Sequence, residues 1–147
     1  METNFKEALN TRKIPLWNEL PELDLYMDQI IVLMEKYLGS TPKDKLITPS
    51  MINNYVKLGI IPSPTKKKYS KIHIAYLIII CSLKQVMPIP NIKILIDEKL
   101  KNSSIEELLN ELSNKYEENS KSNPAMYLAV CASICRFTSE TNLNKIK

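Results

Sequence analysis

Glycine is nearly absent, with Gly39 and Gly59 the only two in 147 residues. Strand-like alternation of apolar and polar residues is equally hard to find, so the composition favours an all-α protein. Arginine is as scarce, confined to Arg12 and Arg136, and there is one histidine, His73. A single histidine, no Gly-rich phosphate loop and no carboxylate constellation leave little material for an active site. An enzyme is therefore not expected, nor any cofactor. Cysteine is limited to Cys81, Cys131 and Cys135. This odd number without framework spacing points to reduced thiols and a cytoplasmic protein. No apolar run reaches the roughly 18 residues needed to span a bilayer. The longest, Ile72 to Leu83, is interrupted by His73 and Ser82 and reads as a buried helix. The stretch METNFKEALN lacks the hydrophobic region of a signal peptide.

What the chain does have is an uneven distribution of charge. Residues 1–42 carry −3, residues 43–101 carry +8 and residues 102–147 carry −1, so the middle third alone makes the protein basic. A local field of that sign attracts polyanions, of which nucleic acid is the commonest in a cell. A lysine-rich proteome would explain the total of +4 but not the segregation.

The apolar fraction is 44%, and the length suits one compact domain with a helical extension. Residues 3–11 read as a short amphipathic helix, and Ile14 to Leu20 as an extended strap anchored by Trp17. Leu23, Met27, Ile30, Ile31, Met34 and Leu38 recur at helical spacing, which predicts a helix over 22–38 capped by Gly39. Thr48-Pro49 supplies an N-cap followed by proline, opening a helix to Leu58 that Gly59 stops. Pro62 and Pro64 hold the next residues extended, and Thr65 to Tyr69 form a cationic loop. A helix is expected from Ser70 to about Val86, with Ile72, Ala75, Tyr76, Ile79, Ile80 and Leu83 inward. Pro88 and Pro90 break the chain before a helix marked by Ile92, Leu95, Ile96 and Leu100. Asn102-Ser103-Ser104 with Glu106 and Glu107 then reads as a cap and acidic first turn. The helix it opens carries Ile105, Leu108, Leu109, Leu112 and Tyr116. A last helix is expected from Asn123-Pro124 to roughly Thr138.

On the helix over 48–58, Ser50, Asn53, Asn54 and Lys57 share the face opposite the apolar stripe. Asn can bond adenine bidentately, while Lys and Ser reach guanine or phosphate. A polar face alone is the norm for a solvated helix. The loop Thr65-Lys66-Lys67-Lys68-Tyr69 changes the weighing, because it follows a capped helix and a Gly turn with three cations. That is the equipment of a phosphate-tracking wing.

The run MINNYVKLGIIPSP resembles the TIRYYE-x-x-GLLP signature of the MerR superfamily, with Ile52, Tyr55, Gly59, Ile60, Ile61 and Pro62 at matching positions. Tyr69-Ser70 with His73-Ile74 is similar to the Tyr-Thr-x-x-Asp-Leu that follows the wing in that superfamily. VMPIPNIKILI resembles GFSLEEIKELL. A closer likeness is to a bacterial family known as domain of unknown function 1836, carried by IPLWNELPELDLYMDQI, MINNYVKLGIIPSP and KKKYSKIHIAYLIIICSLKQV. Together these cover about residues 14–100. The resemblance implies a winged helix-turn-helix whose second helix enters the major groove. Asn53 and Asn54 stand where the superfamily has Arg and Tyr, and the wing has lysines in place of Gly-Tyr-Arg. Base specificity is therefore not carried over. Nor is an effector response, because two shorter helices replace the long dimerisation helix.

Cys131 and Cys135 share a helix face and could in principle join Cys81 and His73 in a metal or redox site. Small buried hydrophobes are the simpler reading, since zinc sites favour Cys-x-x-Cys spacing, and no metal is expected. His73 is expected to face the wing or cap a core edge. Tyr116, Met126, Tyr127, Val130, Ile134 and Phe137 offer an apolar surface that suits either intramolecular burial or a symmetric dimer.

The expectation is thus an all-α protein with a MerR-like winged helix-turn-helix core over 1–101 and a C-terminal helical extension over 102–147. It would bind double-stranded DNA as a homodimeric transcriptional regulator without contacting membrane. The candidate contacts are Thr48, Ser50, Asn53, Asn54, Lys57, Lys66, Lys67, Lys68, Tyr69 and Lys71. A protein-interaction or small-ligand-sensing module is the alternative, and the absence of arginine from the basic block weakens the DNA reading.

Overall fold

The computed structural model describes residues 14–39, 45–84 and 87–120, the last five by their backbone only. The helices expected over 3–11 and 124–138, Tyr116, and both Cys131 and Cys135 lie outside what is described. Among the described residues the protein is all-helical, with no strand and two isolated β-bridges. A 3₁₀ turn at Trp17–Glu19 precedes five helices. These are α1 (Met27–Leu38), α2 (Pro49–Lys57), α3 (Lys71–Leu83), α4 (Ile89–Leu100) and α5 (Ile105–Ser120).

Helix α3 is the centre. It packs against α1, α4 and α5, and Ile74, Ala75, Leu77, Ile78, Ile80 and Cys81 are wholly buried. Each such Ile or Leu contributes ~2 kcal/mol relative to exposure, so an apolar run that would be insoluble alone becomes the core. Ser82 is tolerated there because its hydroxyl donates to the Ile78 carbonyl at 2.8 Å. One inward assignment is corrected: Ile72 is 45% exposed. It lies in the first turn, where the chain is still emerging from the wing and no neighbour covers that side.

The caps follow local chemistry. The Thr48 hydroxyl accepts from Met51 N–H at 3.2 Å, with Pro49 at the first position of α2. The Ser104 hydroxyl accepts from Glu107 N–H at 3.2 Å and opens α5. At the end of α2, Ile60 N–H donates to Tyr55 carbonyl and Gly59 N–H to Val56 carbonyl. This paired closure needs φ of +75° at Gly59, a conformation glycine adopts without penalty.

The start of α1 is also corrected. It begins at Met27, not 22, and Leu23 is 76% exposed. Leu25 instead exchanges two backbone hydrogen bonds with Tyr69, at 2.9 and 2.7 Å, which keeps residues 21–26 out of the helix. The strap therefore runs from Ile14 to Tyr26. At its beginning the Ser113 hydroxyl donates to Ile14 carbonyl at 2.6 Å, and Trp17 N–H donates to Asn110 Oδ1 at 2.9 Å. Leu108, Leu109 and Leu112 of α5 share one core with α1–α4. No helix among the described residues is long and apolar enough to cross a membrane.

Candidate nucleic-acid interface

Ser50, Asn53, Asn54 and Lys57 are all exposed on α2. They recur at three- and four-residue intervals, while Ile52 and Tyr55 turn into the core. The stripe is set in place from behind. The Lys84 ammonium donates to the Leu46 carbonyl and lies 3.7 Å from Met51 Sδ, tying the end of α3 to the entry of α2. Thr48 stands at the base of the stripe, its hydroxyl spent on the cap.

The loop after α2 closes as a two-residue hairpin. Thr65 and Lys68 exchange backbone hydrogen bonds at 3.2 and 3.0 Å, which leaves Lys66 and Lys67 at the tip. Both have positive φ, 53° and 63°, as a type I′ turn demands. Such turns normally use Asn-Gly, because the left-handed conformation costs an ordinary residue ~1–2 kcal/mol. Two lysines occupy it here, exposed and without a side-chain partner among the described residues. Strained backbone tends to persist where function holds it.

The base of this hairpin is clamped. The backbone pairing of Leu25 with Tyr69 ties it to the strap. His73 ties it to α3: Nδ1 accepts from Ser70 N–H at 2.9 Å, and Nε2 lies 3.3 Å from Ser63 carbonyl. Because a backbone N–H can only donate, Nδ1 must be the bare nitrogen and Nε2–H the donor to Ser63. His73 thus caps α3 and holds the entry to the hairpin.

Three of the sequence candidates are placed differently from the rest. Tyr69 is 4% exposed, its ring edge-on to His73 with centroids 5.4 Å apart. Burial pushes its phenol pKa up. It is a core residue and is removed from the contact set, because its neighbours cover the ring that an exposed wing would have shown. Lys68 is half-buried, its ammonium 5.3 Å from the Tyr26 ring centroid. Lys71 is held by the Glu22 carboxylate at 2.8 Å and stands 4.9 Å from the Trp17 ring centroid.

The sequence reading missed the strap's share in this region. Trp17 and Glu22 meet Lys71, and Tyr26 meets Lys68, yet they lie more than 40 positions upstream, and no local spacing pairs them with these lysines. Lys93 was also missed. Its side chain passes by the Gly59 turn, 4.0 Å from where a Cβ there would sit, and its ammonium pairs with Asp97 at 2.8 Å. By spacing, i, i+4 from Asp97, it is an ordinary helix-surface pair.

A family model described as domain of unknown function (DUF1836) matches residues 15–127. No curated protein and no solved structure matches the chain.

Proposed function

The chain belongs to the family described as domain of unknown function 1836, and we propose that this member is a DNA-binding transcriptional regulator with a MerR-like winged helix-turn-helix core. In this reading α2 enters the major groove, Asn53 and Asn54 meet base edges, and Ser50 and Lys57 meet phosphate or guanine. Lys66 and Lys67 track the phosphate backbone from the wing, with Lys68 behind them. A homodimer formed through residues 102–147 would present two such surfaces to a palindromic site.

The observation that carries the reading is the wing tip: two adjacent lysines in left-handed backbone, exposed and without a side-chain partner among the described residues. Asn-Gly would close the same hairpin with less strain, and the two charges that stand there instead support this reading. The polar α2 stripe beside a capped and pinned helix end supplies the second half of a DNA surface.

One observation favours the protein-interaction reading. Leu58 is 51% exposed directly beside Lys57, at the end of α2, where a protein groove would welcome it and DNA would not.

Binding to random-sequence duplex across a salt series separates the two. Wild type should bind with affinity falling steeply as salt rises. The triple variant Lys66→Ala, Lys67→Ala, Lys68→Ala should weaken binding to all sequences alike. Asn53→Ala should instead flatten the preferences recovered by sequence selection. Absence of binding at low salt refutes the regulator reading and directs the search to a protein partner.

A further inference from the structure

We infer that Glu22 is a built-in competitor for DNA phosphate at Lys71, so that the strap restrains the interface that it also supports. The inference rests on the DNA-binding reading above. Lys71 opens α3 immediately behind the wing, and its side chain is only 14% exposed, whereas that of Glu22 is 83% exposed. The cation sits between an indole face and a carboxylate, and the strap provides both. The two partners are not equally held. Trp17 packs against the core and its N–H is tied to Asn110. Glu22 has no other hydrogen bond or ion pair among the described residues, and its side chain lies in water.

A carboxylate offers Lys71 what a phosphodiester offers, one negative charge shared by two acceptor oxygens. An ion pair with one solvated partner is weak and screened by salt. Duplex DNA gains more at the same position, because each neutralised phosphate releases condensed counterions. When Glu22 swings away, Lys71 keeps its contact with Trp17 and joins Lys66 and Lys67 on the backbone of the duplex. Lys68 is also held by the strap, but by the uncharged Tyr26 ring, so its charge still acts on DNA. Lys71, by contrast, is neutralised by an acid of the same chain.

The test compares four proteins on random-sequence duplex DNA across a salt series: wild type, Glu22→Gln, Lys71→Met and the double variant. Methionine keeps an apolar stem against Trp17, and melting curves for all four identify any loss of fold. Glu22→Gln should tighten binding by ~fivefold at 0.1 M salt, because the duplex then displaces no ion pair, with little change in the log–log salt slope. Lys71→Met should weaken binding and lower the log–log salt slope by about 0.9, and the double variant should match it, because the gain requires Lys71. A gain of equal size in the Lys71→Met background would show that Glu22 merely repels DNA through space, and would overturn the inference. No gain from Glu22→Gln while wild type binds would overturn it as well. If neither wild type nor Glu22→Gln binds at low salt, the DNA-binding reading itself fails and takes this inference with it.

Discussion

Replacing Lys66-Lys67 by Asn-Gly should stabilise the protein and weaken the proposed DNA binding in one step. The tip places two lysines at φ of 53° and 63°, and each carries a left-handed penalty of ~1–2 kcal/mol. Asn tolerates that region and Gly has no penalty there. Against this gain, glycine loses ~0.4–1 kcal/mol through the added freedom of the unfolded chain. The net expectation is ~1–2 kcal/mol of added stability, read as a Tm increase of roughly 5 °C for a domain of this size. The DNA effect runs the other way. Two lost phosphate contacts should lower the log–log salt slope by about 1.8 and the affinity at 0.1 M salt by ~60-fold. A Lys66→Gln, Lys67→Gln control separates the two terms. It removes the charge but keeps a side chain in the strained region, so it should lose affinity equally without the Tm gain. An Asn-Gly variant that melts no higher than wild type would refute the strain argument. An unchanged salt slope would refute the role given to the tip cations.

His73→Leu should destabilise the fold by ~2–3 kcal/mol in denaturant titrations. It removes the acceptor that caps Ser70 N–H and leaves the Ser63 carbonyl without its donor. A loss under ~1 kcal/mol would mean that the clamp is redundant with the Leu25–Tyr69 pairing. Alkaline stability should depend on Cys81, whose thiol burial pushes up to about 12, partly offset by the Lys84 ammonium. The folded thiol keeps its proton where the unfolded one gives it up. Its contribution is therefore complete below pH ~9 and fades as pH rises toward 12, by about 1 kcal/mol per pH unit. Cys81→Ala should flatten that decline in urea titrations from pH 8 to 10.5, and an unchanged slope would show that the thiol is not the group responsible.

The family assignment and the all-helical class were legible because both rest on local signals. Thr48-Pro49, Gly59, Ser104 and Pro88 act on backbone within a few residues of themselves, so capping rules placed the helix ends near where they lie. The apolar stripes of α1, α2 and α5 follow from a 3.6-residue period, which needs no knowledge of neighbours. The polar stripe of Ser50, Asn53, Asn54 and Lys57 was readable for the same reason.

Whatever depended on a distant partner was not. Leu23 continues the apolar spacing of α1, yet the chain stays out of the helix there because Leu25 pairs with Tyr69. That pairing joins positions 44 residues apart and outweighs a helical turn that would leave Leu23 in water in any case. Tyr69 read as an exposed wing phenol and is core, while Ile72 read as core and is exposed, since both sit where the wing turns into α3. Lys71 looked like one more cation in a basic block until the strap brought Glu22 and Trp17 to it. By itself the sequence determined helical elements, their caps and the sign of charge along the chain, all short-range properties of backbone and period. Only the tertiary structure decided which lysines are free and which are held, because a side chain's partners are set by contacts that close long loops.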